Sequence, residues 1–176
     1  MKIYNLDSVL IDLEGKHLFL DNTALILLVS YIEEFSDFLI ELKEVECVLL
    51  TIPSVAFEFQ RSDNIEILNK RTEFLNSYIE IYSIERHLRE LEDLIPVIHK
   101  IKNAISYTDF LLYCCLYKFK DSILLTENHK DFTTNILDRL NIFTVDNDGQ
   151  NLRNSGLYRF NQNKYEKVVS SILSSK

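Results

Sequence analysis

Four short stretches place acidic side chains where a strand should end or a helix begin. Leu18-Phe19-Leu20-Asp21-Asn22-Thr23 sets Asp21 at the exit of an apolar run. Ile52-Pro53-Ser54-Val55-Ala56-Phe57-Glu58 sets Glu58 one turn into a helix that Pro53 is suited to open. Ser106-Tyr107-Thr108-Asp109 opens another helix, and Leu124-Leu125-Thr126-Glu127-Asn128-His129-Lys130-Asp131-Phe132 leaves a strand through a turn. Carboxylates brought together repel one another and are tolerated mainly around a hard cation, for which magnesium or manganese is the natural choice. Such an ion, with retained waters, orients a nucleophile and offsets charge in phosphoryl transfer, so metal-assisted phosphodiester hydrolysis is the expected reaction.

Each acid also has a plain structural use. Asp109 lies three residues after Ser106, the spacing of a capping box, and a first-turn carboxylate is stabilised by the helix dipole in any case. Asp131 can pair with an Asn128 cap, Asp21-Asn22-Thr23 can cap the helix that follows, and Glu58 can sit on a solvated helix face. His129, in a turn beside Lys130, reads as a surface residue. Arg61, Arg71, Lys118 and Lys130 follow the acidic stretches and are the candidates for phosphate contact.

The elements that would position these groups alternate. Strands are expected over 8–13, 17–20, 47–52, 79–83, 122–126 and 142–145, and helices over 23–41, 53–69, a charged stretch through Arg71 and Glu80, 85–102, 106–118, 130–140 and 165–173. Residues 146–156 read as a polar loop. The alternation predicts an α/β fold with a parallel sheet covered by helices, and ligands of such sheets bind beyond the carboxyl ends of the strands.

Taken in order, the motifs at 18–23, 53–58, 105–112 and 124–132 resemble the acidic motifs of PIN-domain nucleases, a family that includes VapC-like toxin ribonucleases. The resemblance spans about residues 16–146. It implies a three-layer PIN-like domain with a central, mostly parallel sheet of about five strands and helices on both faces, residues 147–176 adding a loop and a helix. It implies a Mg²⁺- or Mn²⁺-dependent endoribonuclease with Asp21, Glu58, Asp109 and Asp131 as catalytic metal ligands and Thr126 and Asn128 as polar contacts to substrate. The fourth acid departs from the pattern: the usual position holds Asn128, and Asp131 and Glu127 are the alternatives. By resemblance the partners are RNA and an antitoxin whose basic or hydrophobic segment would block the acidic cleft. The Asn at 128 keeps open a second function, a PIN-like binding module without catalysis. A haloacid-dehalogenase-like phosphatase would want a second Asp where Thr23 stands.

Bulk properties bound these readings. The 176 residues suffice for one domain with a full core. The net charge of −8 excludes a surface that attracts nucleic acid everywhere, so any such contact must be local. Cys47, Cys114 and Cys115 sit among apolar neighbours with neither zinc nor disulfide spacing. Aromatics at helical spacing, including Phe35, Phe38, Phe57, Phe59, Phe110, Tyr113 and Tyr117, suit a core or a homodimer seam, and an exposed one suits stacking on a base. The first residues lack an apolar signal region and the longest greasy run, 23–32, is too short to span a membrane, so a cytoplasmic protein is expected.

Overall fold

The computed structural model describes residues 2–102, 104–147 and 152–174. After β1 (Lys2–Tyr4), residues Leu6, Val9, Leu10 and Leu13 repeat at helical spacing and form α1 (Leu6–Leu13), with Val9 and Leu13 fully buried. This corrects the strand expected over 8–13, where a brief alternation concealed the longer period. Gly15, at φ +64°, makes the turn into β2 (His17–Leu20), a conformation that costs a side chain-bearing residue more.

The helix expected over 23–41 is two helices, α2 (Asn22–Ser30) and α3 (Ser36–Glu44), separated by a turn. Buried β3 (Val48–Thr51) leads into α4 (Pro53–Gln60), with Pro53 where its missing N–H costs nothing. Asn64 caps α5 (Ile65–Tyr78), accepting from the Glu66 and Ile67 amides. Then follow β4 (Glu80–Ile81), a 3₁₀ segment (Ile84–Leu91), α6 (Leu94–Ile101), α7 (Tyr107–Lys118), β5 (Ile123–Thr126), β6 (Leu137–Asp146), β7 (Leu152–Phe160) and α8 (Gln162–Leu173). Helix α7 is buried through Leu111–Leu116, which accounts for its nearly continuous apolar sequence.

All seven strands form one sheet in the order β1-β6-β7-β5-β2-β3-β4. Strands β5, β2, β3 and β4 are parallel, whereas β7 pairs antiparallel with β5, β6 with β7, and β1 with β6. The expected three-layer PIN-like arrangement around about five mostly parallel strands is therefore overturned: the sheet is mixed, with an antiparallel wing of three strands. That wing comes from segments read otherwise in the sequence. Residues 137–140 belong to β6 rather than a helix over 130–140, because a register shift between Arg139 and Asn141 breaks strict alternation and leaves Leu137 and Leu140 at an i,i+3 spacing. The expected loop over 146–156 supplies the end of β6 and the start of β7, residues 148–151 lying outside the described residues. The sheet thus extends beyond 16–146 at both ends.

The core contains Phe19, Phe35, Phe59, Tyr113, Phe132, Phe143 and Tyr158, all nearly inaccessible to solvent. Cys47, Cys114 and Cys115 are buried and unpaired by disulfides, and burial pushes the Cys47 and Cys114 thiols up to about 12. Among the described residues, no helix is long and apolar enough to cross a membrane.

Candidate acidic site at the carboxyl ends of the parallel strands

Asp21 follows β2 and caps α2. Its Oδ1 accepts from the Ala24 amide and the Thr23 hydroxyl, each at 2.8 Å, and its Oδ2 accepts from the Thr126 hydroxyl at the end of β5. Thr126 Oγ1 in turn accepts from the Asn128 amide at 2.8 Å, and Thr23 Oγ1 from the Glu127 amide at 3.0 Å. Only 5% of Asp21 is exposed. Burial pushes its carboxyl up to about 6; these hydrogen bonds pull against that, and the Asp109 charge adds to it.

Glu58 is exposed on α4 and accepts from Thr108 Oγ1 at 2.9 Å, which ties it to the first turn of α7. Asp109 completes the capping arrangement expected from its spacing: its amide donates to Ser106 Oγ at 3.0 Å, and that hydroxyl donates to Asp109 Oδ2 at 2.7 Å. The cap does not remove Asp109 from the acidic group. Burial, and then the charges of Asp131 and Glu58, raise its carboxyl, against hydrogen bonding to Ser106 and the Lys102 ammonium. The charges of Asp131 and Glu58 thus reach Asp109, and that of Asp109 reaches Asp21, each with less effect than burial.

Asp131 lies in the loop after β5. Lys102, at the end of α6, pairs with its Oδ1, and the Asn128 amide donates to its Oδ2 at 2.6 Å. Hydrogen bonding to Lys102 above all holds this carboxyl below the usual carboxylate range. The loop is anchored from beneath, since Tyr113 Oη donates to the Asp131 carbonyl at 2.9 Å and accepts from the Thr133 amide at 3.0 Å. Glu127 takes a different partner. Arg153 on β7 grips it with two hydrogen bonds, the one from Nε measuring 3.0 Å.

A polar cleft of about 530 Å³ adjoins the acids, lined by Asn22, Glu58, Arg61, Ser62 and Asp63. The side-chain oxygen of Asn22 is buried there without a hydrogen-bond partner. Of the cations expected to meet phosphate, Arg61 lines this cleft. Arg71 is a strut, donating to the Phe59 and Arg61 carbonyls at 2.8 and 3.0 Å and lying over the Phe59 ring. Lys118 is in the last turn of α7, the opposite end from Asp109, and exposed Lys130 offers its carbonyl to Lys102 at 2.5 Å.

His129 is not the solvated turn residue its sequence suggests. It is half-buried, with Nδ1 2.7 Å from Tyr158 Oη and Nε2 3.0 Å from the Asn154 carbonyl. Sequence reasoning also missed Lys102, which no local spacing connects to Asp131, and Thr108, whose contact with Glu58 spans two helices.

The donors are hard carboxylate oxygens, the chemistry that suits magnesium or manganese. Among the described residues, no group of three or more His, Cys, Asp or Glu is placed to hold a metal ion. No protein-family model, curated protein or solved structure matches the chain.

Proposed function

We propose that this chain is a Mg²⁺- or Mn²⁺-dependent endoribonuclease whose metal-binding acids are Asp21, Glu58 and Asp109. One observation carries the reading: Asp21, bridged at the end of β2 to Thr126 at the end of β5, and Glu58, tied through Thr108 to the first turn of α7 that carries Asp109, bring carboxylates from separate elements to one end of the sheet. A divalent cation offsets that repulsion and, when bound, supplies charge stabilisation and an activated water for phosphodiester hydrolysis. The order of the four acidic motifs, which resembles that of PIN-domain nucleases, supports RNA as substrate. The chain's own residues have separable duties. Asp21 is fixed by Thr23, Ala24 and Thr126, Glu58 is steadied by Thr108, and Arg61 in the adjoining cleft meets the phosphate backbone.

A second reading, a binding module without catalysis, is favoured by the occupation of both Asp131 oxygens by Lys102 and Asn128. The deciding experiment is cleavage of a labelled structured RNA in Mg²⁺, Mn²⁺ or EDTA, comparing wild type with Asp21→Asn and Asp109→Asn. Metal-dependent cutting abolished by both substitutions supports the nuclease. Absence of cutting in every condition, or cutting that survives both substitutions, transfers the assignment to the binding module.

A further inference from the structure

Helix α8 carries Tyr165, Val168, Val169, Ile172 and Leu173 at the i, i+3, i+4, i+7 and i+8 spacing of a single apolar face. Of these only Tyr165 is buried; the face then opens to solvent, and Leu173 is 65% exposed. Helix α6 supplies the facing wall, with Val97 buried and Pro96 exposed. Between the two helices lies a groove of about 570 Å³ whose lining includes Pro96, Val97, Val169, Ile172 and Leu173. The charged residues of that lining, Asp93 just before α6 and Glu166 on α8, are both acids. They gather at one end, since the Asp93 charge reaches Tyr165, the chain neighbour of Glu166. Glu166 accepts from the neutral amide of Gln162 at 2.8 Å, which does not cancel its charge. Lys167 falls about 100° further round α8, away from the lining, and Lys100 stands one turn on from Pro96, towards the other end of α6.

An open apolar seam between two helices accepts a third, which lays side chains spaced i, i+3, i+4 and i+7 into it. The acids decide what kind of helix. In a two-fold pairing with a second copy, lining meets lining, and neither lining offers a cation to the other's Asp93 and Glu166. Two copies of net charge −8 also repel at long range. A basic helix is instead drawn to this chain. We propose that the α6–α8 groove is a docking site for an amphipathic helix of another protein, whose apolar side chains fill the seam between Pro96 and Leu173 and whose Lys or Arg side chains meet Asp93 and Glu166. This goes beyond the nuclease reading and does not rest on it: Asp21, Glu58 and Asp109 belong to α2, α4 and α7, none of which lines the groove. The apolar seam supplies the affinity, and the acidic end supplies attraction and orientation.

The test is binding of a labelled helical peptide built from Leu and Lys, with Leu at i, i+3, i+4 and i+7, to the full chain. Fluorescence anisotropy gives the affinity and amide shifts in nuclear magnetic resonance give the place. Two control peptides keep one feature each, Leu with Glu in place of Lys, and Lys with Ser in place of Leu. The proteins are wild type, Leu173→Asn and the double variant Asp93→Asn with Glu166→Gln, each first checked for cooperative thermal unfolding. The expected result is that the Leu/Lys peptide binds wild type and shifts amides of α6 and α8. Leu173→Asn and the double variant should each weaken it by at least about fivefold, the effect of losing one interface anchor, and both controls should bind more weakly still. Equal binding of the Leu/Glu peptide removes the role of the acids, and equal binding of the Ser/Lys peptide reduces the interaction to charge alone; either overturns the proposal. Affinity unchanged by Leu173→Asn, shifts elsewhere on the chain, or no binding at about 1 mM peptide also overturns it. A dimer of the chain by sedimentation that Leu173→Asn dissociates makes a second copy the occupant and overturns it too. If Leu173→Asn does not fold, the double variant and the control peptides still decide.

Discussion

Thr126, at the end of β5, donates its hydroxyl to Asp21 Oδ2, at the end of β2, joining residues 105 positions apart. The bond bridges the point where chain order along the sheet changes direction, with β3 on one side of β2 and β5 on the other. Carboxyl ends of parallel strands diverge at such a point and leave a crevice. A buried carboxylate there costs folding energy, and its hydrogen bonds recover part of that cost.

The first prediction follows from that cost. The Asp21 carboxyl titrates near 6 in the fold against an ordinary 3.8, so the fold favours the protonated form. Relative to a neutral side chain, the wild type carries no penalty well below pH 4. The penalty grows as pH rises towards 6 and is complete above it, reaching about 3 kcal/mol before the loss of any hydrogen bond is counted. Without added metal, Asp21→Asn is therefore expected to be more stable than wild type at pH 7, with the advantage fading as pH falls to 4. Urea unfolding at several pH values measures this. A variant that is less stable at pH 7 and equally so at pH 4 would show that Asp21 is not strained by its charge.

Much of the site was legible because its parts are local. Pro53 opening α4, Ser106 capping Asp109 and the apolar runs ending at Asp21 and Thr126 are all readable within a few residues. What was not legible depends on distant partners. Ser155 and Gly156 look like loop residues, yet they are buried in mid-strand because β5 and β6 flank β7. The antiparallel wing was hidden for that reason, and so was Lys102, whose meaning appears only once α6 and the loop after β5 are brought together.

The second prediction concerns Glu127, the other candidate for a fourth acid. Its carboxylate is 16% exposed and held by Arg153, which fastens the turn after β5 to β7. Glu127→Gln should cost about 1–3 kcal/mol of stability, since a partly buried guanidinium loses its charged partner. Metal-dependent RNA cleavage should survive. Denaturation and cleavage measured on one preparation separate these effects, and loss of cleavage with the fold intact would place Glu127 in the metal site.

The third prediction tests the packing behind His129. A Cβ on Gly156 would stand 2.9 Å from Tyr158 Cε2 and 3.0 Å from His129 Cε1, closer than such atoms pack. Gly156→Ala must displace the ring pair that supports the loop carrying Asn128 and Asp131, at a cost of about 1–3 kcal/mol. Removing one obstacle should reduce that cost, so Gly156→Ala and His129→Ala are expected to be non-additive. A double-mutant cycle by thermal unfolding measures the coupling, and strict additivity would mean that His129 does not constrain position 156.

The last prediction concerns Phe57 and Tyr107, which are 68% and 60% exposed. Each lies beside the acidic residues on its helix: Phe57 precedes Glu58 on α4, and Tyr107 stands two residues before Asp109 on α7. Exposed aromatics cost solvation, and neither residue is needed to complete the core. If the acids form the proposed nuclease site, these rings suit bases stacked on either side of the scissile bond, and such stacking is worth about 1–3 kcal/mol per base by alanine substitution. Phe57→Ala and Tyr107→Ala should each weaken RNA binding by about 5- to 150-fold, the equivalent of that energy, while Mn²⁺ affinity stays unchanged because neither side chain is a ligand. Fluorescence anisotropy with a short single-stranded RNA in Ca²⁺, where cleavage is suppressed, gives the first quantity, and Mn²⁺ titration gives the second. Unchanged RNA affinity in both variants would show that the strand takes another route, and would direct attention to the Arg61 side of the cleft.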